Sequence, residues 1–352
     1  METAPKNPSL CGLLPDELCE AAGISPAFRG RQLFEGIHRR GVLDFNRMTS
    51  LPGQMREDLF NLFGTPLSSR VDQVREDTDG TVKISLRLHD GLLIESVLLN
   101  DEKGRKTACL SSQVGCALAC SFCRTGQMGL LRDLSAGEIV EQYLHLRQLY
   151  GEIGNIVFMG MGEPLMNLKE VLRAVRVFHR PDGINLGMRR ITISTSGVAA
   201  GIHELRDAGL PVRLAVSLIT ADQELREKLM PIARSVPLKE LQQALISFQE
   251  YHKKRISLEY VVFHGLNTRD RDVELLEDFA RPLQVMVNLI PWNPVDELAY
   301  EEPSEREIQR FAQKLTDRHI PVTRRYRRGR GINGACGQLA TENRKVSGNP
   351  PE

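Results

Sequence analysis

The stretch "NIVFMGMGEPLMNLKEVLRAVRVFHR", residues 155–180, holds one complete structural unit. An apolar run (155–160) ends in a turn rich in glycine, and an amphipathic stretch follows. A strand without polar alternation is buried on both faces, the state of a strand in a parallel sheet covered by helices. The same alternation recurs along the chain. Further strands are expected at "TACLSSQ" (107–113), "RITIST" (190–195), "VRLAVSL" (212–218), "ISLEYVVF" (256–263) and "VMVNLI" (285–290). Amphipathic stretches lie between them, including "SAGEIVEQYLHLRQLY" (135–150), where Ser135 and Glu138 have capping-box spacing. Six β/α units predict an α/β fold with a partial (β/α)6 TIM-like barrel. The doubly wound alternative is weakened because no Gly-rich dinucleotide fingerprint follows the first strand.

The first hundred residues read differently. Residues 25–63 suggest short helices broken by Pro and Gly. "TVKISLRLHDGLLIESVLLN" (81–100) reads as a β-hairpin turning at Asp90-Gly91. The expected organisation is a helical domain over 1–75, a β extension over 76–100, a barrel core over 101–331, and a C-terminal segment and tail over 332–352. "TENRKVSGNPPE" (341–352) is expected to be disordered.

The 352 residues carry 46 Lys and Arg against 45 Asp and Glu, so any polyanion must be bound by local patches. No signal peptide and no apolar membrane span is read, and a cytoplasmic, reducing setting is expected. There, seven cysteines point to metal or catalysis rather than to a disulfide scaffold. Three of them, Cys116, Cys120 and Cys123, occupy eight positions in "CALACSFC", spaced CxxxCxxC, in the loop after the first barrel strand. Loops at the carboxyl ends of barrel strands build active sites. Three thiolates suit three irons of a 4Fe–4S cluster and leave one iron open to a small molecule. A zinc loop completed by Cys109 is the alternative.

CxxxCxxC with an aromatic residue, Phe122, before the last cysteine resembles the signature of the radical S-adenosylmethionine (SAM) enzymes. "SSQVGCALACSFCRTGQMG" (111–129), "FMGMGEPLMN" (158–167), "ITISTSG" (191–197), "IPWNP" (290–294) and "GACGQLA" (334–340) occur in order. Together they resemble the RlmN/Cfr family of RNA methyltransferases, on its RlmN side, over about residues 80–340.

The resemblance implies a 4Fe–4S cluster on Cys116, Cys120 and Cys123. It implies SAM contacts at Gly162, Glu163, Ser194, Ser217, Leu218, Ile219 and Asn293. The family's usual Ser-Leu-His is Ser217-Leu218-Ile219 here, so an imidazole contact is lost while a backbone contact would survive. The implied reaction is methylation of adenine C2 in 23S rRNA and tRNA, with two SAM per turnover. Cys336 accepts a methyl group and becomes linked to the base through it, Glu95 removes the adenine proton, and Cys109 releases the product by forming a disulfide with Cys336. This chain has one residue more between Glu95 and Cys109 than the family pattern.

Methylation at C8, another RNA target, and a zinc-stabilised RNA-binding protein without catalysis stay open as alternatives. RNA contacts are expected at Arg324, Arg325, Tyr326, Arg327, Arg328 and Arg330, and at Arg29, Arg31, Arg39 and Arg40. A low-potential donor such as flavodoxin, a monomer and no membrane complete the implied partners. Cys11 and Cys19 read as small buried hydrophobes.

Overall fold

The computed structural model describes residues 9–295, 298–325 and 328–341. The tail expected to be disordered lies, apart from Thr341, outside the described residues, as do Tyr326 and Arg327. One ten-stranded sheet organises the chain. Its strands are β1 (Arg70–Glu76), β2 (Val82–Arg87), β3 (Leu93–Asn100), β4 (Lys106–Cys109), β7 (Asn155–Phe158), β8 (Ile191–Thr195), β9 (Arg213–Ser217), β10 (Ile256–Val262), β11 (Val285–Pro291) and β12 (Val322–Arg324), in that spatial order. The remaining strands, β5 (Gln113–Gly115) and β6 (Leu130–Asp133), form a separate antiparallel ribbon. From β4 onward every neighbouring pair in the main sheet is parallel. This is the expected six-strand barrel wall, lengthened by β12 within the stretch read as an arginine cluster.

The barrel strands bury apolar side chains because helices cover the sheet. Ile156, Phe158, Ile191, Ile193, Val216, Leu258 and Leu289 all sit in one continuous core. The helix Ala136–Tyr150 starts at Ser135 with the capping box to Glu138. The segment read as one strand over 107–113 is two. After Cys109 the chain turns so that Ser112 N–H donates to Met161 O (2.8 Å), and β5 then leaves the sheet. The hairpin turns where Asp90-Gly91 predicts, with Gly91 at φ +84°. It joins the barrel edge through β3 and β4, where Val97 pairs with Cys109. β1 lies inside the stretch read as helical, so the β extension begins at Arg70.

The N-terminal turn Leu10–Gly12 docks on the helix Ala136–Tyr150, while the helices Pro15–Ala22 and Phe28–Phe34 pack on each other. A buried carboxylate makes part of this joint. Glu141 accepts the backbone N–H groups of Ser68 (2.7 Å) and Ser69 (2.8 Å) together with both serine hydroxyls. Cys11 is fully buried against Pro66, and Cys19 is half-buried.

His38 is fully buried, and neither ring nitrogen has a hydrogen-bond partner. Burial lowers its pKa to about 3, and burial lowers that of His145 to about 4. Both stay neutral in the fold while the unfolded chain takes up a proton below its ordinary value of about 6.5. Stability is therefore fully present above about pH 6.5 and falls as the pH drops below it, by about 1.4 kcal/mol per unit for each histidine. His38→Leu is expected to reduce the loss of urea resistance between pH 6.5 and 5 by roughly half. An unchanged slope in the variant would assign the loss to other groups.

Candidate active site

The cysteine loop is closed at its base by the β5–β6 ribbon. Gly115 has φ +81°, and a Cβ there would fall 1.8 Å from Gly129 O, so this crossing requires glycine. Cys116 N–H donates to Gly129 O (3.0 Å) and Cys123 N–H to Cys120 O (3.1 Å). Ser121 N–H reaches Leu229 O (2.9 Å), the end of the helix Gln223–Leu229. The loop rests on a second apolar cluster that includes Leu118, Ile219, Met230, Phe263 and Trp292. Phe122 meets Phe263 edge-on at 5.6 Å, and Trp292 Nε1–H donates to Phe122 O (3.3 Å).

Cys116, Cys120 and Cys123 line one cavity at the carboxyl ends of the strands. Gly162, Glu163, Ser194, Ser217, Ile219 and Asn293 line the same cavity. Leu218 does not: its side chain lies in the main core and its carbonyl accepts from Arg226 Nε (3.2 Å). Ile219 holds φ +66°, an unusual conformation for a β-branched residue, and forms an apolar wall where the family has imidazole. Gly160 and Gly162 bring two strand ends together. A Cβ on Gly162 would meet Gln113 at 2.5 Å and one on Gly160 would meet Ser111 at 2.7 Å. Both oxygens of Glu163 accept backbone N–H groups, from Leu165 (3.0 Å) and Ser196 (2.8 Å), so this acid also stitches the turn to the end of β8.

The residues suit a cluster with SAM. Burial raises all three thiols, Cys116 to about 11, and the charge of neighbouring cysteines raises Cys120 further. Three thiolates together in this cavity therefore call for a positive centre among them, as iron provides. Cys109 lines a neighbouring cavity rather than this one, which separates it from the loop that a zinc site would need it to complete. Two buried acceptors in the cavity wall, Asn293 Oδ1 and Glu259 Oε2, have no hydrogen-bond partner and are open to a ligand's donors.

The second cavity holds Cys109, Val97, Leu99, Asn100, Arg105 and Arg328. Cys336 lies on the wall common to both cavities, with Met159, Asn293, Arg325 and Leu339. It arrives there on a strap, residues 328–341, fastened across the barrel mouth. Gly331 N–H donates to Asp77 (2.9 Å), Gly329 N–H to Asp79 (2.8 Å) and Lys83 Nζ to Asn333 O (3.2 Å). Asn293 Nδ2 donates to Cys336 O (3.2 Å), Arg124 N–H to Gly337 O (2.8 Å) and Gln338 Nε2 to Pro294 O (2.8 Å). The Cys336 side chain is open to the cleft, while the surrounding protein raises its thiol and Arg325 opposes that rise. Burial pushes Cys109 up to about 12, and the charge of Cys336 adds to it.

Glu95 is buried on β3 and lines neither cavity. It pairs with Lys83 (2.8 Å) and accepts Ala340 N–H (2.9 Å), so the strap covers it. Burial raises its pKa, and Lys83 opposes the shift.

Arg325, one of the expected RNA contacts, lines both cavities. It turns into the cleft beside Met159, with Glu259 at 3.6 Å. Arg324 pairs with Glu305, Arg330 with Glu302 (2.7 Å), and Arg328 donates to Asn100 O, so the cluster is dispersed over separate partners. In the N-terminal set, Arg31, Arg39 and Arg40 are exposed and Arg29 is half-buried; Arg29 and Arg40 both donate to Gln32 and Ser50. Sequence reasoning missed Glu259 and Arg226. Glu259, like Glu95, is a lone acid in an apolar strand, a signal readable in the sequence.

Residues 110–278 match the model of the Radical SAM superfamily. The "Probable dual-specificity RNA methyltransferase RlmN" of Treponema pallidum is 48% identical over 94% of this chain and 97% of its own length. The chain belongs to the RlmN family. The RlmN protein of Synechocystis, another probable dual-specificity RNA methyltransferase by name, is 42% identical over 89% of each chain. A radical SAM methyltransferase from Sphaerobacter thermophilus superposes with a TM-score of 0.89 at 40% identity, covering 94% of this chain and 98% of that one. An RlmN protein uses a 4Fe–4S cluster and SAM, and the cavity of Cys116, Cys120 and Cys123 is where this chain would hold them. Replacing any one of the three by Ala is expected to abolish the brown cluster absorbance and SAM cleavage together. A variant retaining both at wild-type level would contradict the assignment.

Proposed function

We propose that this RlmN-family chain methylates C2 of adenine in 23S rRNA and in tRNA through a methylated Cys336. The observation that carries the reading is the position of Cys336 on the wall shared by the cysteine-loop cavity and the Cys109 cavity. Adenine C2 has no lone pair, so direct displacement on the SAM methyl is closed to it, and a covalent relay is required. Cys336 accepts a methyl group as a thiolate, with the Arg325 guanidinium as its cationic neighbour. When bound, the cluster supplies the electron for reductive SAM cleavage, which generates the oxidant that removes a hydrogen from that methyl.

Once base and Cys336 are joined through the methylene, the adduct radical gives up the one electron that SAM cleavage consumed and Glu95 takes the adenine proton, which restores the aromatic ring. The Cys109 thiolate then attacks Cys336 sulfur, forming a disulfide as the carbon–sulfur bond breaks, and the departing methylene carbon takes up a proton to become the methyl group. Glu95 reaches the base only when Ala340 leaves it, so the 339–341 end of the strap must shift as RNA enters. The N-terminal helical domain, through Arg29, Arg31, Arg39 and Arg40, is our proposed accessory RNA contact. A flavodoxin-type donor, a monomeric state and a cytoplasmic location complete the proposal. Among the described residues no helix is long and apolar enough to cross a membrane.

The two thiols have different duties, and their variants separate them. Cys109→Ala is expected to accumulate protein joined to RNA at Cys336, whereas Cys336→Ala carries no adduct. Nuclease digestion with peptide mass spectrometry reads both. An adduct on Cys336→Ala, or none on Cys109→Ala, overturns this division of labour. Glu95→Gln is expected to keep Cys336 methylation and SAM cleavage and to lose at least tenfold in released product, within the range general-base catalysis supplies. Mass spectrometry of RNA from a deletion strain and its parent locates the methyl; a C8 product would replace the C2 reading.

A further inference from the structure

Arg226 is the largest fully buried side chain among the described residues, and its accessible surface is 0%. It projects from the helix Gln223–Leu229, whose last carbonyl holds the cysteine loop at Ser121. Arg226 Nε donates to Leu218 O (3.2 Å), at the end of β9. One terminal nitrogen donates to Ser196 O (2.7 Å), after β8. The other, Nη1, is buried and has no partner. The guanidinium thus stands where the cysteine loop and the two strand ends that carry Ser194 and Ser217 meet.

A buried charge is retained only where an opposite charge or a full set of hydrogen bonds answers it. Arg226 has neither a carboxylate partner nor a full set of bonds. Among the described residues the cysteine loop is fastened to the same helix, Ser121 N–H donating to Leu229 O (2.9 Å), so its thiolates are the charge that can balance the guanidinium. Burial lowers the pKa of Arg226, and Cys120 opposes that shift. A cluster held by three thiolates is anionic and gains a further negative charge on reduction, whereas the guanidinium keeps its charge throughout.

We propose that Arg226 is the built-in counter-ion of the cluster: it favours the reduced state and fixes the two strand ends that frame the SAM cavity. The proposal rests on the cluster that RlmN-family membership brings, not on which RNA carbon is methylated. Two properties of one side chain are involved, and two substitutions separate them. Arg226→Lys keeps the charge and loses the planar fork, while Arg226→Met keeps most of the volume and loses both.

The experiment is a redox titration followed by electron paramagnetic resonance on anaerobic, cluster-loaded protein, with SAM binding measured in parallel. Arg226→Met is expected to lower the midpoint potential, leaving the ratio of reduced to oxidised cluster at least tenfold smaller at a fixed applied potential, 59 mV for one electron. Arg226→Lys is expected to stay within threefold of wild type in that ratio and to bind SAM at least fivefold more weakly. Should the methionine variant not fold, Arg226→Gln carries the same expectation for the potential. A neutral variant with a wild-type potential overturns the counter-ion role. A lysine variant that loses as much potential as the neutral one shows that packing, not charge, sets it, and overturns the proposal equally. RNA methylation enters neither readout, so failure here is distinct from failure of the proposed reaction.

Discussion

The site depends on one constraint above all: the strap of residues 328–341 must lie across the open ends of the barrel strands. Cys336 would otherwise hang on a loop with no defined relation to the cysteine loop or to Cys109. The strap contains little regular structure, apart from a single turn at Arg330–Ile332. Its order comes from being tied at both sides of the mouth. Asp77, Asp79 and Lys83 hold it on the β extension, and Arg124, Asn293 and Gln338 join it to the barrel loops. This gives the β extension a mechanical role, since the strands that prolong the barrel edge are also the anchor for the segment that carries Cys336.

Buried charges repeat the theme. Lys83 with Glu95, and Arg325 with Glu259, each place an acid and a base at the margin of the cleft. A buried ion pair seldom surpasses a packed apolar pair of similar size in stability. Their value is positional. Lys83 holds Glu95 and the strap at once, and Arg325 brings a fixed cation to Cys336. Arg226 extends the pattern to the helix beneath the cysteine loop, with Cys120 as its electrostatic counterpart among the described residues.

The fold was legible because the barrel strands are apolar without alternation, and the ends of the strands expected at 190–195, 212–218 and 256–263 lie within a residue or two of those observed. Two strands of the main sheet escaped for opposite reasons. Arg70–Glu76 is an edge strand whose side chains are mostly exposed, so "RVDQVRE" shows no buried face. Val322–Arg324 is three residues long and runs into an arginine cluster that composition assigns to a surface. Cysteine spacing was readable because ligand geometry demands it. The roles of Arg325 and Arg226 were not, since an arginine in a neutral chain reads as solvated until its partners are known. The glycine-rich turn at 160–162 was legible, but what its glycines make room for is Ser111 and Gln113 on the neighbouring strand end.

The central claim is that the Cys336 strap is folded over the barrel mouth in the protein itself, and amide hydrogen exchange reads it directly. Gly334 N–H donates to Gly329 O, Gln338 N–H to Ala335 O and Ala340 N–H to Glu95. Exchange followed by mass spectrometry on anaerobic protein should show the peptide spanning 333–341 protected well beyond an unstructured chain, with that protection falling in Lys83→Met, which loses the ties to Asn333 and Glu95. A peptide that exchanges in the wild type as fast as an unstructured chain would contradict the account.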